Sequence, residues 1–142
     1  MKKACFYLSF ILLLSACEQA DYLVQKQLPG ECWSSVEPLS YDHDGSSGLY
    51  AQVNFLPDYK YRNLYLRLIV RQDSKVLTDT LINTMLIDLE GNWLEKQQGK
   101  IFPKKIRLPL PAYEGATEIL LSQYMRDDLL CDIESVGLVS DK

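Results

Sequence analysis

The sequence predicts an all-β protein, an antiparallel β-sandwich of jelly-roll-like form, and three observations carry that expectation. Apolar and polar residues alternate with period two in mid-chain, where Leu49, Ala51, Val53 and Phe55 interleave with Tyr50, Gln52 and Asn54. Turn-forming residues recur between short runs of this kind. Beyond the N-terminal apolar run, no segment keeps an apolar stripe of helical period; the nearest, Ile119 to Leu130, lacks a polar face and contains a turn.

The chain begins differently. Lys2 and Lys3 precede an apolar run from Ala4 to Ala16 that ends in the small residues Ser15 and Ala16, which is the anatomy of a signal peptide. As a helix, its roughly 13 residues would reach about 20 Å, short of the roughly 30 Å hydrocarbon core. Leu14-Ser15-Ala16-Cys17 resembles the bacterial lipobox, which makes Cys17 the first mature residue and the site of acylation. The alternative is a free or buried cysteine in a generic signal. Each buried methylene contributes about 0.8 kcal/mol, so two or more acyl chains hold a protein at a membrane without a spanning helix. The expected organisation is a signal peptide over residues 1–16, a lipidated cysteine and short tether over 17–21, and one sandwich domain over 22–142.

The tether Glu18 to Asp21 reaches about 14 Å when extended, which keeps the domain near the bilayer. In the strand starting at Asn63, Leu64, Leu66, Leu68 and Val70 share one face, and Tyr65, Arg67, Ile69 and Arg71 the other. Asp73 and Ser74 supply a turn. From Val76 to Leu89, β-branched and apolar residues predict one long strand or two short ones, and Gly91 makes the next hairpin turn. Leu108-Pro109-Leu110-Pro111 cannot be a central strand, since each proline lacks a ladder donor; it reads as an edge or a crossing between sheets. Two further strands follow, one in Ala116 to Met125 and one in Ile133 to Ser140, with a loop over Arg126 to Asp132 between them.

Charge and cysteine content narrow the function. The formal net charge of −4 becomes −6 once Lys2 and Lys3 leave with the signal, which disfavours nucleic acid as a partner. Cys5 leaves too, so Cys32 and Cys131 remain to form a bridge in an oxidising compartment or to stay as two separate buried thiols. No cofactor is implied, and one histidine with two spare cysteines makes no metal site. The search for a nucleophile elbow, a phosphate loop or a dinucleotide turn finds none, so no catalytic residue is assigned. Asp42-His43-Asp44-Gly45 reads as a solvated turn before the Leu49 strand.

The remaining signal is aromatic and charged. Asp58 to Asn63 clusters polar-tipped rings, and Tyr59, Tyr61, Arg62 and Asn63, with Arg126, Asp127 and Asp128, are the candidate interaction surface. A bracing role at a sandwich corner is the competing reading for Tyr59 and Tyr61. Trp33 and Trp93 read as packing residues.

Four blocks, "YKYRNLYLRLIV", "KVLTDTL", "DLEGNWL" and "QYMRDDLLCDIESVGL", resemble in order and spacing the gliding-motility lipoprotein family GldH of the Bacteroidota, from about Trp33 to the C-terminus. Tyr59, Tyr61, Asn63 and Leu64 match one block, Gly91 and Trp93 the hairpin, and Met125, Arg126, Val136 and Gly137 the closing segment. Lys60 and Arg62 replace the family's usual Pro and Ser, and Leu130-Cys131-Asp132-Ile133 stands where that pattern has L-P-G-I. The resemblance implies a non-enzymatic lipoprotein of the envelope, held to a membrane through Cys17 and contacting envelope proteins of a gliding or secretion-linked apparatus. The expected location is the outer rather than the inner membrane, with Glu18-Gln19-Ala20-Asp21 resembling the acidic export tags of surface lipoproteins and the leaflet left open. A surface lipoprotein that binds a glycan or small ligand is the alternative.

Overall fold

A computed structural model describes residues 22–45 and 48–140; the signal peptide, Cys17 and the tether lie outside the described residues. The strands are β1 (Tyr22–Gln27), β2 (Cys32–Ser34), β3 (Leu39–Asp44), β4 (Leu49–Phe55), β5 (Asn63–Gln72), β6 (Lys75–Met85), β7 (Phe102–Arg107), β8 (Ala116–Gln123), β9 (Leu129–Cys131) and β10 (Ile133–Ser140). One four-stranded sheet has the order β1-β10-β4-β7, the other β3-β8-β5-β6, and β2 pairs with β9 alone. Every named strand pairing is antiparallel.

The pairings have one logic. β5 pairs with β6, β4 with β7, β3 with β8, β2 with β9 and β1 with β10, so the chain is a long ribbon folded back at Asp73-Ser74. Two further pairings, β10 with β4 and β5 with β8, roll that ribbon into two facing sheets, which is a jelly roll. Cys32 and Cys131 stand opposite each other in the β2–β9 register and are disulfide-bonded.

Alternation places the core. Leu64, Leu66, Leu68 and Val70 of β5 are fully buried and face Leu49, Ala51, Val53 and Phe55 of β4 across the sandwich, with Ile119, Leu121, Val136 and Leu138 filling between them. Pro109 and Pro111 lie in the crossing from β7 to β8, between the two sheets.

Three local expectations need correction. Asp42, His43 and Asp44 belong to β3, because β8 offers a full ladder opposite Glu118, Thr117 and Ala116; the strand ends at Asp44, just before Gly45. The segment from Arg126 to Asp132 is not all loop, since Leu129–Cys131 finds a partner in β2. The alternation in β4 reads as a half-buried strand, but β4 is an interior strand buried on both faces, and Gln52, Asn54, Ser135 and Gln25 form a hydrogen-bonded row along its outer side.

Candidate functional site

The two segments that carry the candidate surface meet in space. β5 starts at Asn63, and the backbone N–H of Tyr124, just past β8, donates to the Tyr65 carbonyl at 2.8 Å. The Tyr65 N–H in turn points at the Met125 sulfur, 3.3 Å away. This lays residues 124–126 beside the beginning of β5. Gln123, almost fully buried, fixes their path: its amide nitrogen donates to the Asp127 carbonyl at 2.8 Å, and its amide oxygen accepts the Met125 N–H at 2.8 Å.

Between these segments and β6 lies an open groove of about 620 Å3. Tyr61, Asn63 and Tyr65 form one wall, Tyr124, Met125 and Arg126 the other, with Leu81 of β6 beside them. Tyr65, Tyr124 and Leu81 are 41%, 57% and 50% exposed, so the groove offers rings and aliphatic surface to whatever enters it. Asn63 donates to Asn83 on β6 at 2.9 Å, which ties the floor together.

One end of the groove is charged and ordered. Lys60 and Asp127 form an ion pair of 2.5 Å, and the Lys60 ammonium lies 5.1 Å from the centre of the Tyr61 ring. Hydrogen bonding to Lys60, then to Tyr61, holds the Asp127 carboxyl below its ordinary range, and the same bond raises Lys60. Arg62 is exposed with its guanidinium 3.5 Å from the Leu89 carbonyl, and Asp128 uses its backbone carbonyl to accept the Ser35 N–H at 2.8 Å.

Tyr59 does not belong to this surface. It is 4% exposed, packs edge-on against Phe55 at 4.7 Å between ring centres, and donates its hydroxyl to the Asn63 carbonyl at 3.0 Å. Burial pushes that hydroxyl's pKa up strongly. It braces the corner from which Tyr61 projects. Trp33 is buried and Trp93 stacks on Phe102 at 4.2 Å, both as packing residues. Among the described residues no group of three His, Cys, Asp or Glu is placed to hold a metal, and no helix is long and apolar enough to cross a membrane. Tyr65, Leu81 and Tyr124 are groove residues outside the candidate surface read from the sequence; their one signal was an aromatic or apolar side chain on the solvent side of its strand or just beyond it.

The strand directions also set where the groove sits. β1 begins at Tyr22 opposite Val139, and Val139 pairs with Tyr50 at the start of β4. The groove and the β2–β9 disulfide lie at the other end of the strands, beyond Phe55 and Ile133. At about 3.3 Å per residue, β10 separates the two ends by roughly 20 Å.

Fold and groove together define a small jelly-roll domain with a surface aromatic cleft. The profile of the GldH lipoprotein family matches residues 22–139, and the chain belongs to that family of gliding-motility-associated lipoproteins. No curated protein sequence matches the chain significantly. Among solved structures, a family GH115 4-O-methyl-α-glucuronidase with specificity for decorated arabinogalactans aligns at 11% identity and a TM-score of 0.39. That alignment covers 87% of this chain but 18% of the enzyme, so the chain spans less than a fifth of its length.

Proposed function

We propose that the protein is a non-catalytic interaction component of the envelope apparatus for gliding and its linked secretion, anchored through acyl chains on Cys17. The observation that carries the reading is the position of the groove. The tether joins the domain at the start of β1, while the aromatic groove opens at the opposite end of the strands, so an anchored domain presents the groove away from the lipid. An acidic domain gains little from anionic lipid, which leaves the acyl chains to hold it there. The outer membrane is the proposed site.

Crosslinking in cells followed by purification in mild detergent tests this. Envelope proteins should be recovered with the wild type and lost with Tyr65→Ala plus Tyr124→Ala, while Cys17→Ser should leave the membrane fraction. A protein that always emerges alone refutes the interaction role. A second reading, glycan binding, rests on three tyrosines beside Asn63 and Arg126, a set able to stack on and hydrogen-bond a sugar. A glycan array on which binding disappears in the same tyrosine variant would favour it.

A further inference from the structure

The four edges of the two four-stranded sheets are not alike. β1, β3 and β7 are each six residues long, whereas β6 runs for eleven, from Lys75 to Met85. The short edges carry the features that discourage a further strand from pairing: Lys26 on β1, Asp42 and Asp44 on β3, and Pro103, Lys104, Lys105 and Arg107 on β7. Between its ends β6 has one charge, Asp79, which Arg67 engages through two hydrogen bonds of 2.9 and 2.7 Å, and one irregularity, an extra residue at Leu77 near its start, beyond which Thr78 to Met85 stay in unbroken register with β5. Val76, Leu81 and Met85 stand 53%, 50% and 46% exposed along it. Among the described residues its outer edge pairs with nothing.

Resting on the interaction role above, we infer that β6 is a docking edge that takes an extended polypeptide segment of a different protein as a fifth strand. Such a strand would continue the backbone ladder and lay an alternate apolar side chain over Leu81 into the Tyr65–Tyr124 groove. Charge selects the occupant. β1 and β3 share one side of the sandwich, where Lys26 donates to the Ser40 carbonyl, so β6 and β7 share the other. Exposed Lys105 and Arg107 therefore lie along the same side as the open edge. A second copy joined edge to edge would bring two such basic strips together, whereas a strand flanked by aspartate or glutamate would be drawn to one.

The test uses the full-length protein in mild detergent as bait for a phage-displayed library of random twelve-residue peptides. The expected binders alternate apolar residues, carry acidic flanks and weaken as salt rises. In hydrogen exchange, a selected peptide should protect β6 amides between Val76 and Thr84. Leu81→Lys and Val76→Lys, both at exposed positions, should each weaken binding at least tenfold with the thermal midpoint kept. N-methylation of alternate peptide bonds in the selected sequence should do the same. The inference is overturned if no peptide is selected, if protection falls elsewhere, or if the protein dimerises through β6. Since partner recovery from cells is read separately, any of these leaves the broader interaction role standing.

Discussion

The Cys32–Cys131 bond closes most of the domain into one loop, with a sequence separation of 99, so its removal has a calculable effect. In the chain-entropy account, a loop of about 100 residues restricts the unfolded ensemble by roughly 4.7 kcal/mol at 25 °C. That figure is a ceiling, because a real denatured chain is already partly compact. Replacing both cysteines by serine should therefore cost about 2–4 kcal/mol. For a domain of about 120 residues, an unfolding entropy near 0.25 kcal/mol/K converts this to a fall in Tm of roughly 8–16 °C. Cys131 is exposed, so a phosphine reductant added to the folded wild type should produce the same fall. Differential scanning calorimetry of the oxidised, reduced and doubly substituted forms reads it directly, and the urea m-value should rise as the unfolded chain is freed to expand. If the three forms melt within about 2 °C of one another, the bond does not constrain the unfolded state and the reasoning fails.

Three further outcomes are expected. Asp73 and Ser74 both adopt positive φ, 49° and 66°, at the fold-back of the ribbon; Ser74→Gly removes a left-handed cost of about 1 kcal/mol and should raise Tm by about 4 °C, whereas Ser74→Val should lower it. Asp79, Asp88, Glu118 and Asp127 are all held below the ordinary carboxylate range: Asp79 by Arg67, Asp88 by the backbone N–H of Asn92, Glu118 by Ser40 and then Arg71, and Asp127 by Lys60. Their stabilisation is present above the unfolded pKa of about 4 and is lost as pH falls through the lower folded values, so urea midpoints should be flat from about pH 7 to 5 and drop by pH 3; a midpoint unchanged at pH 3 would contradict this. Gln123→Leu leaves the Met125 N–H and the Asp127 carbonyl without the partners they have now, at about 1–3 kcal/mol for each group left buried and unsatisfied; Tm should fall and exchange of the 124–127 amides should quicken.

How much of this was legible depended on whether the information was local. The faces of β5 follow from its own alternation, and the buried set Leu64, Leu66, Leu68 and Val70 is the one the pattern predicts. The fold class and the family resemblance were legible for the same reason, being carried by strand patterns and short blocks. Pairing was not legible, because β2 and β9 are three residues each and find one another only through the folded ribbon. Asp42 to Asp44 looks like a turn by composition, and only β8 beside it makes it a strand. The groove was half legible: Tyr61, Asn63 and Arg126 were singled out, but Leu81 reaches them by a β5–β6 register that no short window contains. Asp132 shows how a departure from the family pattern can be understood. It stands where that pattern has Gly and adopts φ 63°, a conformation that asparagine and aspartate tolerate better than most side chains.

The ribbon topology links the disulfide to the groove. Folding back at Asp73-Ser74 sets β2 against β9, and the disulfide fastens that pair at the end of the sandwich far from β1's first residue. The same short ribbon supports the groove wall: the Ser35 N–H donates to the Asp128 carbonyl at 2.8 Å, and the Gln123 amide that orders residues 125–127 also contacts the Trp33 carbonyl at 3.4 Å. A change at the bond therefore reaches Tyr124, Met125 and Arg126 through two or three hydrogen bonds, while β6 and the outer face of β5 stay held by their own ladder. Reduction in the folded protein should loosen binding that depends on Tyr124 more than binding that depends on the β6 edge. An oxidising compartment, by keeping Cys32 and Cys131 bonded, would thus also keep the proposed interaction surface in order.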